Sequence, residues 1–230
     1  MSETLPGIAI LGGTGDLGTG LARRWTQAGY RVIIGSRSED KARAAAAALR
    51  EVMSARGSKA IAVAAMENLQ AAEIADIVVI TVPFSHQAST LEYVKAALQG
   101  KILIDVTVPL MPPKVATVQL PREGSAGQIA QAILGSEVKV VSAFQNVAAQ
   151  HLQDAQPLSC DVLVSGNSKD ARAEVIKLVE AAGMRGFHAG PIANAVAAEA
   201  LTSVIININR RHKCHAGLRI TGVDEKSKGV

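Results

Sequence analysis

The chain is poor in residues that several functions demand. Of its 230 residues only 3% are aromatic and only two are cysteine. Few aromatics means few stacking platforms, which argues against a binder of single-stranded nucleic acid. Cys160 and Cys214 lie far apart and form no Cys-x-x-Cys pair, so they read as reduced thiols of a cytoplasmic protein. No charged start followed by an apolar stretch marks a secretory leader, and no uninterrupted apolar run approaches about 18 residues, so no membrane span is expected. Charge is weakly biased: 24 Lys and Arg against 20 Asp and Glu give a net +4. That balance suits anionic small molecules and is too diffuse to imply DNA. There is no internal repeat and no low-complexity linker. What remains is apolar and small, 48% hydrophobic and rich in alanine, enough for one substantial core.

The stretch that organises the rest is Gly7-Ile8-Ala9-Ile10-Leu11-Gly12-Gly13-Thr14-Gly15-Asp16-Leu17-Gly18. A short apolar run ends in glycine and a helical pattern follows at once. Strand, tight turn and helix N-terminus in that order make the arrangement that holds a dinucleotide pyrophosphate. Gly13, Gly15 and Gly18 fit G-x-G-x-x-G, with Gly12 added where the strand ends. The turn needs unusual backbone angles, the phosphate must approach without meeting a Cβ, and the helix must pack closely on the strand. An unliganded glycine turn is the competing reading.

The pattern then alternates. Residues 19–28 read as the first helix with Leu21, Ala22 and Trp25 facing inward, and 31–34 as the second strand. A helix over 39–56, capped by Ser38, a short third strand over 60–64 and a helical piece through Ala75 come next. Residues 77–82 are continuously apolar, as expected of a strand buried on both faces of a parallel sheet. Residues 85–98 read as helix and 101–106 as a fifth strand. Residues 107–124 hold Pro109, Pro112, Pro113 and Pro121 and form an irregular loop of a length that is usually either functional or disordered. A helix over 126–134, strands over 138–144 and 161–166, and a helix over 169–182 precede a last helix over 193–211. That last helix is apolar nearly all round, so it must be buried in the core or against a second subunit. The β-α-β rhythm predicts an α/β fold, a doubly wound, mostly parallel sheet of the Rossmann NADP-binding kind with a small C-terminal helical elaboration. Residues 1–225 are expected to form one domain, 150–225 being its C-terminal extension, and 226–230 a disordered tail.

Dinucleotide sheets that prefer NAD usually end the second strand in an acidic residue, which bonds the ribose 2′-OH. This chain has Gly35-Ser36-Arg37 there, with Lys41 one helical turn on. A hydroxyl, a guanidinium and an ammonium suit a 2′-phosphate, so NADP is expected over NAD; Glu39 and Asp40 sit in the first helical turn, where carboxylates favour the dipole. His86 follows Pro83 and reads either as a cofactor ligand or as a structural helix-start histidine. Asp105 reads as a base or as the organiser of the following loop. His212, Cys214 and His215 lack a fourth partner, and no metal is expected.

With these residues in place the chain resembles the 8-hydroxy-5-deazaflavin:NADPH oxidoreductases, the NADPH-dependent reductases of coenzyme F-420. Further likeness lies in Thr81-Val82-Pro83-Phe84-Ser85-His86, Val140-Val141-Ser142-Ala143-Phe144, Gly190-Pro191-Ile192-Ala193-Asn194 and the final helix with Asn207 and Asn209. It spans about residues 8–218. The resemblance implies that Gly13, Thr14, Gly15, Asp16 and Leu17 line the pyrophosphate and that Ser36, Arg37 and Lys41 hold the 2′-phosphate. It implies that Val82, Pro83 and Ala143 flank the nicotinamide; His86, read as a ligand from its place after the Pro83 turn, would reach the ribose or pyrophosphate. The deazaflavin would stack near 144–147. Members often carry a His where this chain runs Phe144-Gln145-Asn146, so Gln145 or Asn146 would substitute through an amide. The implied reaction is hydride transfer between NADP(H) and coenzyme F-420 by direct ring-to-ring stacking, with no catalytic side chain. Arg210, Arg211, Lys213 and Arg219 form a cationic cluster that either meets the coenzyme's acidic tail or caps a solvated helix end. Another NADPH-dependent reductase, of imines or ferric iron, or a non-catalytic NADP sensor would share the cofactor residues. Small-molecule cofactors are the expected partners, with no nucleic acid or membrane, and a homodimer is expected through the last helix.

Overall fold

In the computed structural model, residues 5–55, 63–153 and 158–223 are described. The strands are β1 (Ile8–Leu11), β2 (Val32–Ser36), β3 (Val63–Glu67), β4 (Ile77–Ile80), β5 (Ile102–Asp105), β6 (Lys139–Ser142), β7 (Asp161–Gly166) and β8 (Arg185–His188). The helices are α1 (Asp16–Gln27), α2 (Glu39–Ala55), α3 (Asn68–Ile74), α4 (Phe84–Val94), α5 (Ala126–Leu134), α6 (Ala149–Leu152), α7 (Lys169–Ala181) and α8 (Ala195–His212). One sheet of eight strands runs in the order β3-β2-β1-β4-β5-β6-β7-β8. The first six are mutually parallel; β7 runs antiparallel to β6, and β8 parallel to β7.

The continuous apolar runs have the burial expected of them. Side chains alternate across a strand, and here both faces are covered. Ile8, Ile10, Val32, Ile34 and Val79 pack with Leu21, Trp25, Ala42 and Ala46 on one face. Ala9, Leu11, Ile33, Val78 and Ile80 pack with Ala71, Leu91 and Val94 on the other. Trp25 anchors the first layer: its indole N–H donates to Leu178 O at 2.8 Å, and its ring meets Phe144 edge-on with centroids 5.9 Å apart. Burying that polar handle without a partner would cost what the bond now saves.

The differences from the sequence reading are physical. Helix α1 opens at Asp16, three residues before the expected start, because the helix begins as soon as the glycine turn ends. The strands over 77–82, 101–106 and 138–144 are shorter than expected, although backbone bonds from Thr81, Val106 and Ala143 carry the pairing one residue past their ends. The helix over 85–98 closes in a 3-10 turn at Lys95–Leu98, and the last helix follows a 3-10 turn at Ile192–Asn194. Helix α6 and strand β8 were not foreseen; β8 is the half-exposed sequence Arg-Gly-Phe-His, which shows no apolar alternation. Arg56 and residues 60–62 of the expected helix and third strand, and the tail from Asp224 on, lie outside the described residues.

Of the two burials expected of helix α8, the core is not the one found: only Ala195, Ala198, Glu199 and Ser203 are buried, while Val204 and Ile208 are 45% and 42% exposed. Residues Ile192–His212 are long and apolar enough to cross a membrane by length and mean hydropathy alone, a test that helices of soluble proteins also pass. Its polar side chains are nonetheless engaged with protein. Asn146 Nδ2 donates to Ala198 O, Thr202 Oγ1 to Gln145 O, Ser203 Oγ to Thr117 O, and Asn207 Nδ2 to Ala116 O. The helix therefore clamps both the 107–124 loop and the segment after β6.

Candidate functional site

Strand order reverses at β1, which has β2 on one side and β4 on the other. In an open parallel sheet a crevice forms at such a point, outside the carboxyl ends of the strands. The glycine turn leaves β1 into this crevice and Val82-Pro83 leaves β4 into it. The turn is closely fitted. Gly12 has φ +69, and a Cβ there would lie 2.5 Å from Val82 Cγ1. A Cβ on Gly18 would lie 2.6 Å from Gly13 Cα, so glycine lets α1 close onto the turn. At Gly15 the same added atom meets nothing within 4 Å. The turn is thus crowded wherever it faces protein and open where it faces the N-terminus of α1.

That N-terminus carries positive charge. Gly15 is its N-cap, with no side-chain cap bond, so the first-turn N–H groups keep their donors toward the crevice. Asp16 is exposed in the first turn. Leu17 is half-buried and packs on the core below, so of the turn residues Thr14, Gly15 and Asp16 are the exposed ones.

Beyond the turn the crevice widens into two adjoining clefts. The first, about 220 Å³, is lined by Gly12, Thr14, Val82 and Pro83 at one end and by Arg37, Ser38 and Lys41 at the other. The second, about 330 Å³, is bounded by Arg37 and Glu67 on one side and by His86, Thr90 and Tyr93 of α4 on the other. Ser36, Arg37, Asn68, His86 and Thr90 belong to both. The end of β2 supplies the cationic rim: Ser36 Oγ accepts from Ser38 N at 3.2 Å, and Arg37 and Lys41 are exposed. Glu39 turns to Arg43 along α2 at 2.7 Å, and neither Glu39 nor Asp40 lines either cleft.

The inner wall is a buried polar network. Asp105 ends β5 with 1% exposure; its Oδ1 accepts from Thr107 N at 2.8 Å and Thr107 Oγ1 at 2.6 Å. Gln87 Nε2 bonds Asp105 Oδ2, Thr107 Oγ1 and Ala126 O, joining the two ends of the 107–124 loop. Burial pushes the Asp105 carboxyl up to about 6 against these donors, which pull it down. Asp105 thus organises the loop. Gln145 Nε2 donates to Asp105 O and Ser142 Oγ, both at 2.8 Å, and Asn146 Nδ2 to Ala198 O at 2.8 Å. Both amide nitrogens expected to meet a ligand are therefore bonded within the protein. Ala143 is fully buried, and Phe144, at φ +73, turns its ring into the core against Trp25. Phe144, Gln145 and Asn146 are buried and only Val147 of 144–147 is half-exposed, so a flat ring there would lie on backbone and the Val147 side chain.

Two residues of this region were missed in the sequence reading. Asn68, 3% exposed, accepts from Gly12 N with Oδ1 at 3.2 Å. Glu199, 2% exposed, caps α5 from α8: Oε2 accepts from Ala126 N at 2.7 Å and Oε1 from Gly127 N at 3.1 Å. Burial, opposed by these two N–H donors and reinforced by Asp105, raises its carboxyl to about 8. A single carboxylate in an apolar helix is the one hint the sequence held of it. The Arg210, Arg211, Lys213 and Arg219 cluster is exposed at the end of α8 and the strap beyond, and Arg219 bonds Ser159 Oγ. Among the described residues no His, Cys, Asp and Glu group has metal-site geometry.

Comparison with known proteins bears on this site. Residues 7–109 match the family described as "NADP oxidoreductase coenzyme F420-dependent". The F420-dependent NADP reductase of Methanocaldococcus jannaschii is 39% identical over 223 residues, covering 94% of this chain and 99% of that protein. That of Methanothermobacter thermautotrophicus is 39% identical over 227 residues, covering 95% and 96%. A crystal structure from Arthrobacter sp. FB24, provisionally named an F420-dependent NADP-reductase, is 28% identical with a TM-score of 0.75, covering 92% of this chain and 96% of that one.

Proposed function

This chain belongs to the family of F420-dependent NADP reductases, and on that premise we propose that it transfers a hydride between NADP(H) and the deazaflavin coenzyme F420. The observation that carries the reading is the crevice at β1 and β4, where the glycine turn is uncrowded at Gly15 beside the α1 N-terminus and Arg37 and Lys41 line the far end of the cleft. An anionic group fits that opening, and a second one fits the cationic rim.

In this reading Gly13, Thr14, Gly15, Asp16 and Leu17 form the pyrophosphate cradle, Asp16 and Leu17 through their backbone N–H groups. Ser36, Arg37 and Lys41 hold the 2′-phosphate. His86 stands where it meets the ribose side of the crevice. Val82 and Pro83 wall the nicotinamide end, with Ala143 beneath it as backbone only. When both carriers are bound, the hydride passes directly between nicotinamide C4 and deazaflavin C5, which needs two flat rings in face-to-face contact. The protein's part is orientation and exclusion of water. Gln145 and Asn146 contribute by fixing the backbone of 144–147, on which the deazaflavin would rest.

We read residues 1–225 as one unit acting as a cytoplasmic homodimer, without nucleic acid or membrane. The dimer face is Val204 and Ile208 of α8 beside Val118 of the adjoining loop, three exposed apolar side chains on polar-anchored backbone. Mixing the protein with NADPH and oxidised F420 and following loss of the deazaflavin's visible absorbance tests the reaction. Turnover supports it. Binding of NADPH without bleaching would point to another acceptor or to a sensor.

A further inference from the structure

We propose that Asn68 is a positioning residue for the dinucleotide: its side-chain oxygen holds the glycine turn in the shape that receives the pyrophosphate. The inference rests on the NADP reading above and adds to it a residue from outside the glycine motif.

Asn68 opens α3 directly after β3, two strands away from the turn it serves. Its side chain reaches across the carboxyl end of β2, between. There Gly35 clears the way: a Cβ at Gly35 would stand 2.9 Å from Asn68 Oδ1, tighter than ordinary contact. The oxygen ends 3.2 Å from Gly12 N, at the residue whose φ of +69 reverses the chain out of β1. The next N–H, of Gly13, donates to Gly35 O at 3.0 Å. Two successive amides of the turn are thus tied to the β2 side, one by backbone and one by Asn68. The following residues, Thr14 and Gly15, are exposed toward the crevice.

Gly12 and Gly13 have no side chains to hold them, and glycine loses more backbone freedom on ordering than any other residue. A turn left to itself would spend part of the binding free energy on that ordering; a turn already bonded does not. Asn68 is also among the residues lining both clefts, so the bond to Gly12 lies next to the crevice. Gly35 then has two roles in one position: it leaves the route for the Asn68 amide open and supplies the Gly13 acceptor.

The two phosphate regions give the test its resolution. The pyrophosphate is common to NADPH and NADH, whereas the 2′-phosphate belongs to NADPH alone. Calorimetric titration of the full chain with each nucleotide should show Asn68→Ala weakening both by a similar factor, on the order of tenfold. Gly35→Ala, which pushes the same oxygen aside, should weaken both in the same way. In the double variant the two losses should fall well short of adding, because both act through one bond. Amide exchange at Gly12, followed by NMR in the nucleotide-free protein, should speed up in Asn68→Ala. It should stay slow in Asn68→Asp, which keeps the acceptor and serves if the alanine variant folds poorly. Unchanged affinities in Asn68→Ala, or a loss confined to NADPH, would overturn the proposal. So would unaltered Gly12 exchange. Failure of the unsubstituted chain to bind either nucleotide would instead overturn the NADP reading, and Gly12 exchange would still decide what Asn68 does.

Discussion

Strands β1 to β6 run parallel and turn their carboxyl ends toward one crevice, whereas β7 reverses against β6 and carries β8 with it. The parallel part is held by apolar layers on both faces, with one buried network around Asp105 and its exposed cations, Arg37 and Lys41, at the rim. Beyond β6, buried polar bonds tie separate segments of the chain to one another. Glu199 caps α5, Asn146 and Thr202 join the 144–147 segment to α8, and the Arg185 fork grips Asp161 at 2.7 and 2.8 Å. The contrast suggests a division of labour: the rim residues of the first region set what binds, and the internal polar bonds of the second set how firmly the wall behind the site is held.

Substitutions can break that division at its two poles. Arg37→Ala has the largest expected effect. Losing a charge-assisted fork to a phosphate costs about 2–3 kcal/mol, so the Kd for NADPH should rise by roughly 30- to 150-fold. The Kd for NADH should move by no more than a few-fold, and the Tm should not move, because Arg37 is exposed. Equal losses for the two nucleotides would place the 2′-phosphate elsewhere. At the other pole, Glu199→Ala leaves the buried Ala126 and Gly127 N–H groups without their acceptor. It should lower stability to urea by about 2 kcal/mol while NADPH affinity of the folded protein stays within about twofold, a tolerance well under the ~1.4 kcal/mol of a tenfold change. A large affinity loss in that variant would show that the wall behind the site sets binding after all.

Acidity sharpens the same contrast, with a smaller effect. Glu199 is raised from 4.5 to about 8 and Asp105 from 3.8 to about 6, both by burial. Between each pair of values the folded protein holds a proton that the unfolded chain has lost. Stability contributed by these groups is therefore full below the unfolded values and falls as pH rises through the window. Urea midpoints should decline from about pH 4.5 to about pH 8 on account of Glu199. In Glu199→Gln, which keeps an acceptor but cannot ionise, the decline should shrink to the part below about pH 6 that Asp105 supplies. An unchanged profile would mean that Glu199 is not the titrating group.

The parallel region was also the legible one. A strand buried on both faces must be apolar throughout, so residues 77–80 announce themselves, and Gly12 to Gly18 mark a turn that other residues could not make. Arg37 and Lys41 were readable because a rim cation follows the end of β2 at short sequence distance. The polar bonds were not readable, because each joins positions far apart: Asn68 to Gly12 over 56 residues, Glu199 to Ala126 over 73. No local pattern records such a pairing. Helix α8 was legible only in part for a related reason. Its apolar residues called for burial in the core or against a second subunit; within the chain Glu199, Thr202, Ser203 and Asn207 are what attach it, and Val204 and Ile208 face outward.

Asp16 lies where the two design rules conflict, and it gives the smallest expected effect. As the first residue of α1 its carboxylate suits the positive helix end, a stabilisation of about 0.3–1 kcal/mol. Yet the same helix end faces the opening at Gly15, where a pyrophosphate would bring like charge close to it. Asp16 is exposed, so water and salt weaken that repulsion to about 1 kcal/mol or less. Asp16→Asn should therefore tighten NADPH and NADH alike by about two- to fivefold, with the gain shrinking as salt is raised. It should also cost a few tenths of a kcal/mol in stability. Tighter binding with lower stability, from one exposed atom exchanged for another, is the outcome that a pyrophosphate seated on the α1 N-terminus requires; weaker binding would move the phosphates off that helix end.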